Sequence, residues 1–136
     1  MLTEIPTVQE PIILWNSGSR VVELFHEGKV FGTAEEFVPL KEGRAGASFS
    51  LITLRGPDVI HHHNVGEEIY VLWRGEGKIF LNDEILPFTR GTGIRIPPGA
   101  LHAAKPDGSH ELEFWCISIP PFNPDDVIYN RRGQRW

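Results

Sequence analysis

The chain is poor in cysteine. Cys116 is the single one among 136 residues, so no intrachain disulfide can form. That fits a reducing compartment. The opening stretch MLTEIPTVQEPIILWNS has neither a basic n-region nor a long apolar h-region, so no signal peptide is evident. No apolar run approaches the roughly 20 residues a helix needs to cross a bilayer. Positive charge is scarce as well. The 13 Lys and Arg stand against 18 Asp and Glu, and the longest basic run is Arg131-Arg132. Binding through nucleic-acid phosphates needs a basic face, and a net charge of −5 speaks against one. The expectation is a cytoplasmic protein with no nucleic-acid or membrane partner.

Helical periodicity is also missing. Instead, 14 Gly and 11 Pro break the chain into short apolar segments. Strand candidates are RVVELF (20–25), KVFG (29–32), ASFSLITLR (47–55), EEIYVLW (67–73), GKIFLNDEILPF (77–88), GIRIP (93–97) and ELEFWCISI (111–119). Short strands at this spacing predict an all-β sandwich or barrel. Asn82-Asp83 tolerate positive φ and predict a hairpin turn. Asn123 as cap and Pro124 at the first helical position predict a short terminal helix over 123–129. No repeat or linker interrupts the chain, so one domain over 1–136 is expected.

The most informative stretch is HHHNVGEEIYVLWRG, residues 61–75. Side chains alternate faces along a strand. His61 and His63 therefore share a face, with His62 on the other. Glu68 and Tyr70 share a parity in their own strand, and Glu67 points away. GTGIRIPPGALHA (91–103) adds a tight Pro-Pro-Gly turn followed by His102. Three histidines and a carboxylate would make an N3O metal set. Cys116, in an apolar run, reads as a buried inert thiol. His26 and His110 read as ordinary surface residues.

At this point the sequence resembles the cupin superfamily. Gly56, His61, His63, Glu68 and Gly75 match its first signature, and Gly91, Pro97, Gly99 and His102 match the second, G-x5-P-x-G-x2-H. There are two departures. Four residues rather than the usual five separate Gly56 from His61, and Pro106 stands where an asparagine is common. A five-residue gap would select His62, but His62 with Asn64 leaves one imidazole on that face. The resemblance implies a double-stranded β-helix (jelly-roll) barrel, with its core at about 45–120. An N-terminal strand arm over about 1–40 and a C-terminal strap with a helical turn over about 120–136 would flank it.

It also implies one divalent metal per chain, Fe, Mn, Ni or Zn, held by His61, His63, Glu68 and His102. Four such ligands leave two positions of an octahedron open. A small-molecule substrate and a mononuclear Fe(II)-type dioxygenase lead the expectation. Metal-assisted isomerase, cyclase or lyase chemistry is the alternative. A non-catalytic sugar- or small-ligand-binding cupin is a further one, and no DNA-binding segment of a regulator is seen beside the barrel. Tyr70 is a candidate to move protons alongside Glu68, or else an aromatic wall. Arg44, Arg55 and Arg95 are candidates to anchor a substrate anion. Trp115 either lines the pocket or belongs to the core. The arm, with Ile12, Leu14, Val21 and Leu24, is expected to pair with a second copy in a homodimer.

Overall fold

The computed structural model describes residues 18–37, 46–108, 110–130 and 136. Among them lie strands β1 (Ser19–His26), β2 (Lys29–Phe37), β3 (Ser48–Leu54), β4 (His61–His62), β5 (Glu67–Arg74), β6 (Gly77–Leu81), β7 (Glu84–Phe88), β8 (Gly93–Ile96), β9 (His102–Pro106), β10 (Leu112–Ile119) and β11 (Ile128–Tyr129). They form a six-stranded sheet, ordered β1-β2-β3-β10-β5-β8, and a five-stranded sheet, ordered β11-β4-β9-β6-β7. This is the jelly-roll architecture expected from the sequence.

Alternation explains how the sheets face each other. On β10, Leu112, Phe114, Cys116 and Ser118 are buried while Glu113, Trp115 and Ile117 are half-buried on the outer face. On β5 the buried set is Glu68, Tyr70 and Leu72. Register pairs Ser118 with Glu68 and Cys116 with Tyr70. The inward residues thus change character along both strands. At one end Leu72, Phe114 and Leu112 pack with Leu54, Ile79, Phe88 and Ile96 into an apolar core. At the other end the inward positions are polar. Burying polar groups is costly unless they find partners, so that end is where chemistry is concentrated.

Tight turns fix the register. Asn82 and Asp83 both have positive φ (45° and 70°) in the two-residue turn between β6 and β7. The Asn82 side chain also accepts from the Leu101 N–H at 2.9 Å. Glu27 and Gly28 make a similar turn between β1 and β2.

Two features differ from the sequence reading. The terminal helix shrinks to one 3-10 turn, Pro124–Asp126, capped by Asn123 Oδ1 accepting from Asp125 N–H at 3.0 Å. Ile128 and Tyr129 leave it to pair with His62 and His61, because two β-branched or aromatic residues gain a sheet edge there. Val21 and Leu24 stand opposite Glu35 and Gly32 of β2, and β1 is the edge strand of the large sheet. Ile12 and Leu14 lie outside the described residues. The strand assumed at the histidines is β4, two residues long, whereas β9 was not among the strand candidates.

Candidate metal centre

Short strands β4 and β9 are neighbours, and their register sets His61 opposite His102. His63 follows β4 directly, and Glu68 projects from β5 in the facing sheet. The four side chains are buried, with exposures of 8, 5, 0 and 5% for His61, His63, His102 and Glu68. One ligand-type atom from each lies within 4.8 Å of all the others. Glu68 Oε1 is 2.8 Å from His63 Nε2 and 3.0 Å from His102 Nε2.

The other nitrogen of each imidazole faces a backbone carbonyl. His61 Nδ1 is 2.7 Å from Val59 O, His63 Nδ1 2.8 Å from Asp126 O, and His102 Nδ1 2.9 Å from Ala100 O. A carbonyl only accepts, so each Nδ1 carries a proton and donates it. With the Nδ1 proton held there, Nε2 is the nitrogen that points into the cluster, where it can carry a second proton toward Glu68 or give that proton up to a metal ion, as a histidine ligand needs. His63 is held by the C-terminal strap, through Asp126. The Asp126 carboxylate in turn accepts from the N–H groups of Asn64, Val65 and Gly66 at 2.9, 3.0 and 3.0 Å, gripping the loop that carries His63.

A model of the AraC-like ligand binding domain family matches residues 47–132, a span that contains all four side chains. The chain belongs to this family, a branch of the cupin superfamily. An uncharacterized protein of Methanocaldococcus jannaschii is 29% identical over 110 residues, covering 81% of this chain and 80% of its own. The fold is also that of the Streptomyces nucleoside dehydratase Pac13, with a TM-score of 0.67 at 16% identity, covering 90% of this chain and 92% of that one. The Fe(II) protein HppE superposes with a TM-score of 0.69 at 10% identity, covering 83% of this chain and 63% of its own.

In this cupin the electrostatics prepare the cluster for a cation. Burial opposes charge on Glu68, but hydrogen bonds and positive charge from His102 and His63 hold its carboxyl well below the usual range. Burial disfavours a charged His63, yet its bond to Glu68 and the carboxylate charge raise its pKa. Burial and the neighbouring His102 push His61 down to about 3, so it is neutral at physiological pH. A divalent ion would compensate the carboxylate in place of the His63 proton. The donor set, three imidazole nitrogens and one carboxylate oxygen, suits first-row divalent metals.

Tyr70 shares the Glu68 face, and its hydroxyl donates to Glu68 Oε1 at 3.3 Å. It is buried in the core against Phe114, with ring centroids 4.6 Å apart. Burial and the Glu68 charge keep its phenol protonated by raising its pKa well above 10.0. The candidate arginines are not brought to the cluster. Arg55 is exposed, and Arg95 pairs with Glu67 at 2.6 Å on the outer face. Arg44 lies outside the described residues. Trp115 also faces outward, tilted against Phe37 at 5.9 Å.

The sequence reading missed Asp58, Ser118 and Asp126, and it read Cys116 as the buried thiol that it is without foreseeing its contact to Glu68. Asp58 Oδ2 is 3.8 Å from His61 Nδ1, and burial pushes its carboxyl up to about 7. A carboxyl raised from 3.8 binds more protons folded than unfolded, so its effect on stability worsens as pH rises from about 4 to 7. Asp58→Asn is therefore expected to gain stability relative to wild type over that range, with the gap levelling off above pH 7. Urea unfolding of metal-free protein at several pH values measures it. A gap that does not widen with pH would place Asp58 in a wetter site. Burial keeps the Cys116 thiol protonated, as does the Glu68 charge, by raising its pKa.

Proposed function

We propose that this cupin is a metal-dependent enzyme acting on a small organic molecule, with Fe(II)-type dioxygenase chemistry as its leading reaction. The observation that carries this is the convergence of three Nδ1-anchored imidazoles on one buried carboxylate. His61, His63, Glu68 and His102 would hold the ion. When bound, a divalent metal supplies a Lewis acid and, if iron, a centre that engages O2 beside the substrate.

The chain supplies the rest. A cavity of about 340 Å³ reaches His63 and Glu68 past Val65, Phe122 and Ser118. That volume suits a small substrate. Phe122 and Pro120 of the strap give it an apolar wall. Tyr70 does not line this cavity, so any proton it moves passes through Glu68.

The test is elemental analysis of protein purified without chelators or a histidine tag, followed by oxygen uptake with candidate substrates. Near-stoichiometric iron with substrate-dependent oxygen uptake supports the proposal. Turnover with zinc and without O2 points instead to dehydratase, isomerase or cyclase chemistry, the direction suggested by the fold shared with Pac13. A second reading follows from the family description, that of a ligand-binding domain without turnover. It predicts ligand affinity that survives loss of the four side chains and of any metal.

A further inference from the structure

The two oxygens of Glu68 are treated differently. Oε1 faces His63, His102 and Tyr70 at 2.8, 3.0 and 3.3 Å. Oε2 faces β10, where Cys116 Sγ donates at 3.1 Å and Ser118 Oγ at 3.4 Å. Both donors come from one strand face, two residues apart, opposite Tyr70 and Glu68 in register. Cys116 and Ser118 are buried, at 5 and 4% exposure, so water does not compete freely for these bonds. Cys116 Sγ also lies 3.9 Å from Ser118 Oγ, so the two donors sit side by side.

A carboxylate can bind a metal through one oxygen or both. If both bind, it fills an additional coordination position. Here one oxygen is already occupied by two neutral donors on the wall behind it. We infer that Cys116 and Ser118 are positioning residues that hold Glu68 as a single-oxygen ligand through Oε1, keeping a coordination position free for substrate. This rests on the metal-centre reading above. It gives the lone cysteine a role as a hydrogen-bond donor rather than a ligand or nucleophile. It also predicts which substitutes work. A hydroxyl at position 116 can replace the thiol donor, and a methyl group cannot.

The experiment uses the full chain loaded with Co(II), comparing wild type, Cys116→Ser and Cys116→Ala/Ser118→Ala. The dissociation constant and the visible ligand-field spectrum of cobalt are recorded for each. Circular dichroism and thermal melts of the metal-free proteins confirm folding. Losing partners behind a metal ligand typically costs 10–100-fold in affinity. The double variant is expected to weaken cobalt binding by about that factor and to change the ligand-field bands as Glu68 becomes free to bind through both oxygens. Cys116→Ser is expected to keep both properties near wild type. A folded double variant with wild-type affinity and spectrum would overturn the inference while leaving the metal centre intact. So would an intense thiolate-to-cobalt band in wild type that Cys116→Ser abolishes, since Cys116 would then be a ligand. If wild type itself takes up no cobalt, the metal-centre reading falls and this inference falls with it. Should the double variant fail to fold, Ser118→Ala alone is read in the same way, with a smaller loss and a shift in the bands expected.

Discussion

His61→Ala/His102→Ala is expected to lose divalent-metal binding altogether at concentrations that saturate wild type. Two of the four donors go, one of them the fully buried His102, whose ring lies 4.3 Å from that of His61. The loss should exceed the roughly 10–100-fold that an outer-shell partner costs. Stability gives a second readout. A ligand at a hundred times its dissociation constant stabilises the folded state by about 2.7 kcal/mol. In a domain of this size that raises Tm by about 10 °C. Wild type should show this increment on adding cobalt or iron, and the double variant should not. Comparing each protein with and without metal matters, because the substitutions also disturb the metal-free state. Without His102, the buried Glu68 keeps His63 but loses one of its two imidazole partners. An equal increment in both proteins would show that the metal binds elsewhere and would remove the basis of the proposed function.

Gly75→Ala is expected to destabilise the fold by about 2–5 kcal/mol, and Gly99→Ala by only about 1–2. Both glycines belong to the two signatures and both have positive φ, at 88° and 83°. The left-handed backbone strain is therefore similar. The surroundings differ. A methyl group at Gly75 would collide with the backbone carbonyl of Glu111 and press on Leu112 Cα at 3.3 Å, whereas one at Gly99 meets nothing within 4 Å. Relief at Gly75 would need the start of β10 to move away from the end of β5, beside Leu112 of the apolar core. Chemical denaturation of the metal-free variants measures both losses. Equal losses would mean that the two backbones give way equally and that the close approach at Gly75 is soft.

These two glycines show what was legible in the sequence. Signature spacing located them, and period-two alternation placed Glu68 and Tyr70 on one inward face. The Asn82-Asp83 turn was readable because both residues tolerate positive φ. Strand β4 was readable only through its histidines, whose alternation set His61 and His63 on one face, because no apolar run marks a strand there. Strand β9 was not readable, because HAAKP has weak strand propensity and forms through pairing with β6 and β4. The partners of the cluster were hidden for a different reason. Cys116 and Ser118 reach Glu68 across 48 and 50 residues, and Asp126 reaches His63 across 63. Register between distant strands decides those contacts, and local pattern does not encode it. The arginines failed in the opposite way. Their chemistry suited an anion, but parity and exposure turned Arg55 and Arg95 outward.

Strand β10 lies between β3 and β5 in the large sheet, although it follows both by dozens of residues. During synthesis the earlier strands emerge with a gap where their shared neighbour belongs. The edges of β3 and β5 that face this gap stay unpaired until residues 112–119 leave the ribosome. Closing such long loops before contacts compensate for the lost chain entropy makes folding slow, on the millisecond-to-second scale of high-contact-order β proteins. Until then the apolar residues of β3 and β5 present open edges, so chaperone protection during chain growth should matter more to this barrel than its size would suggest.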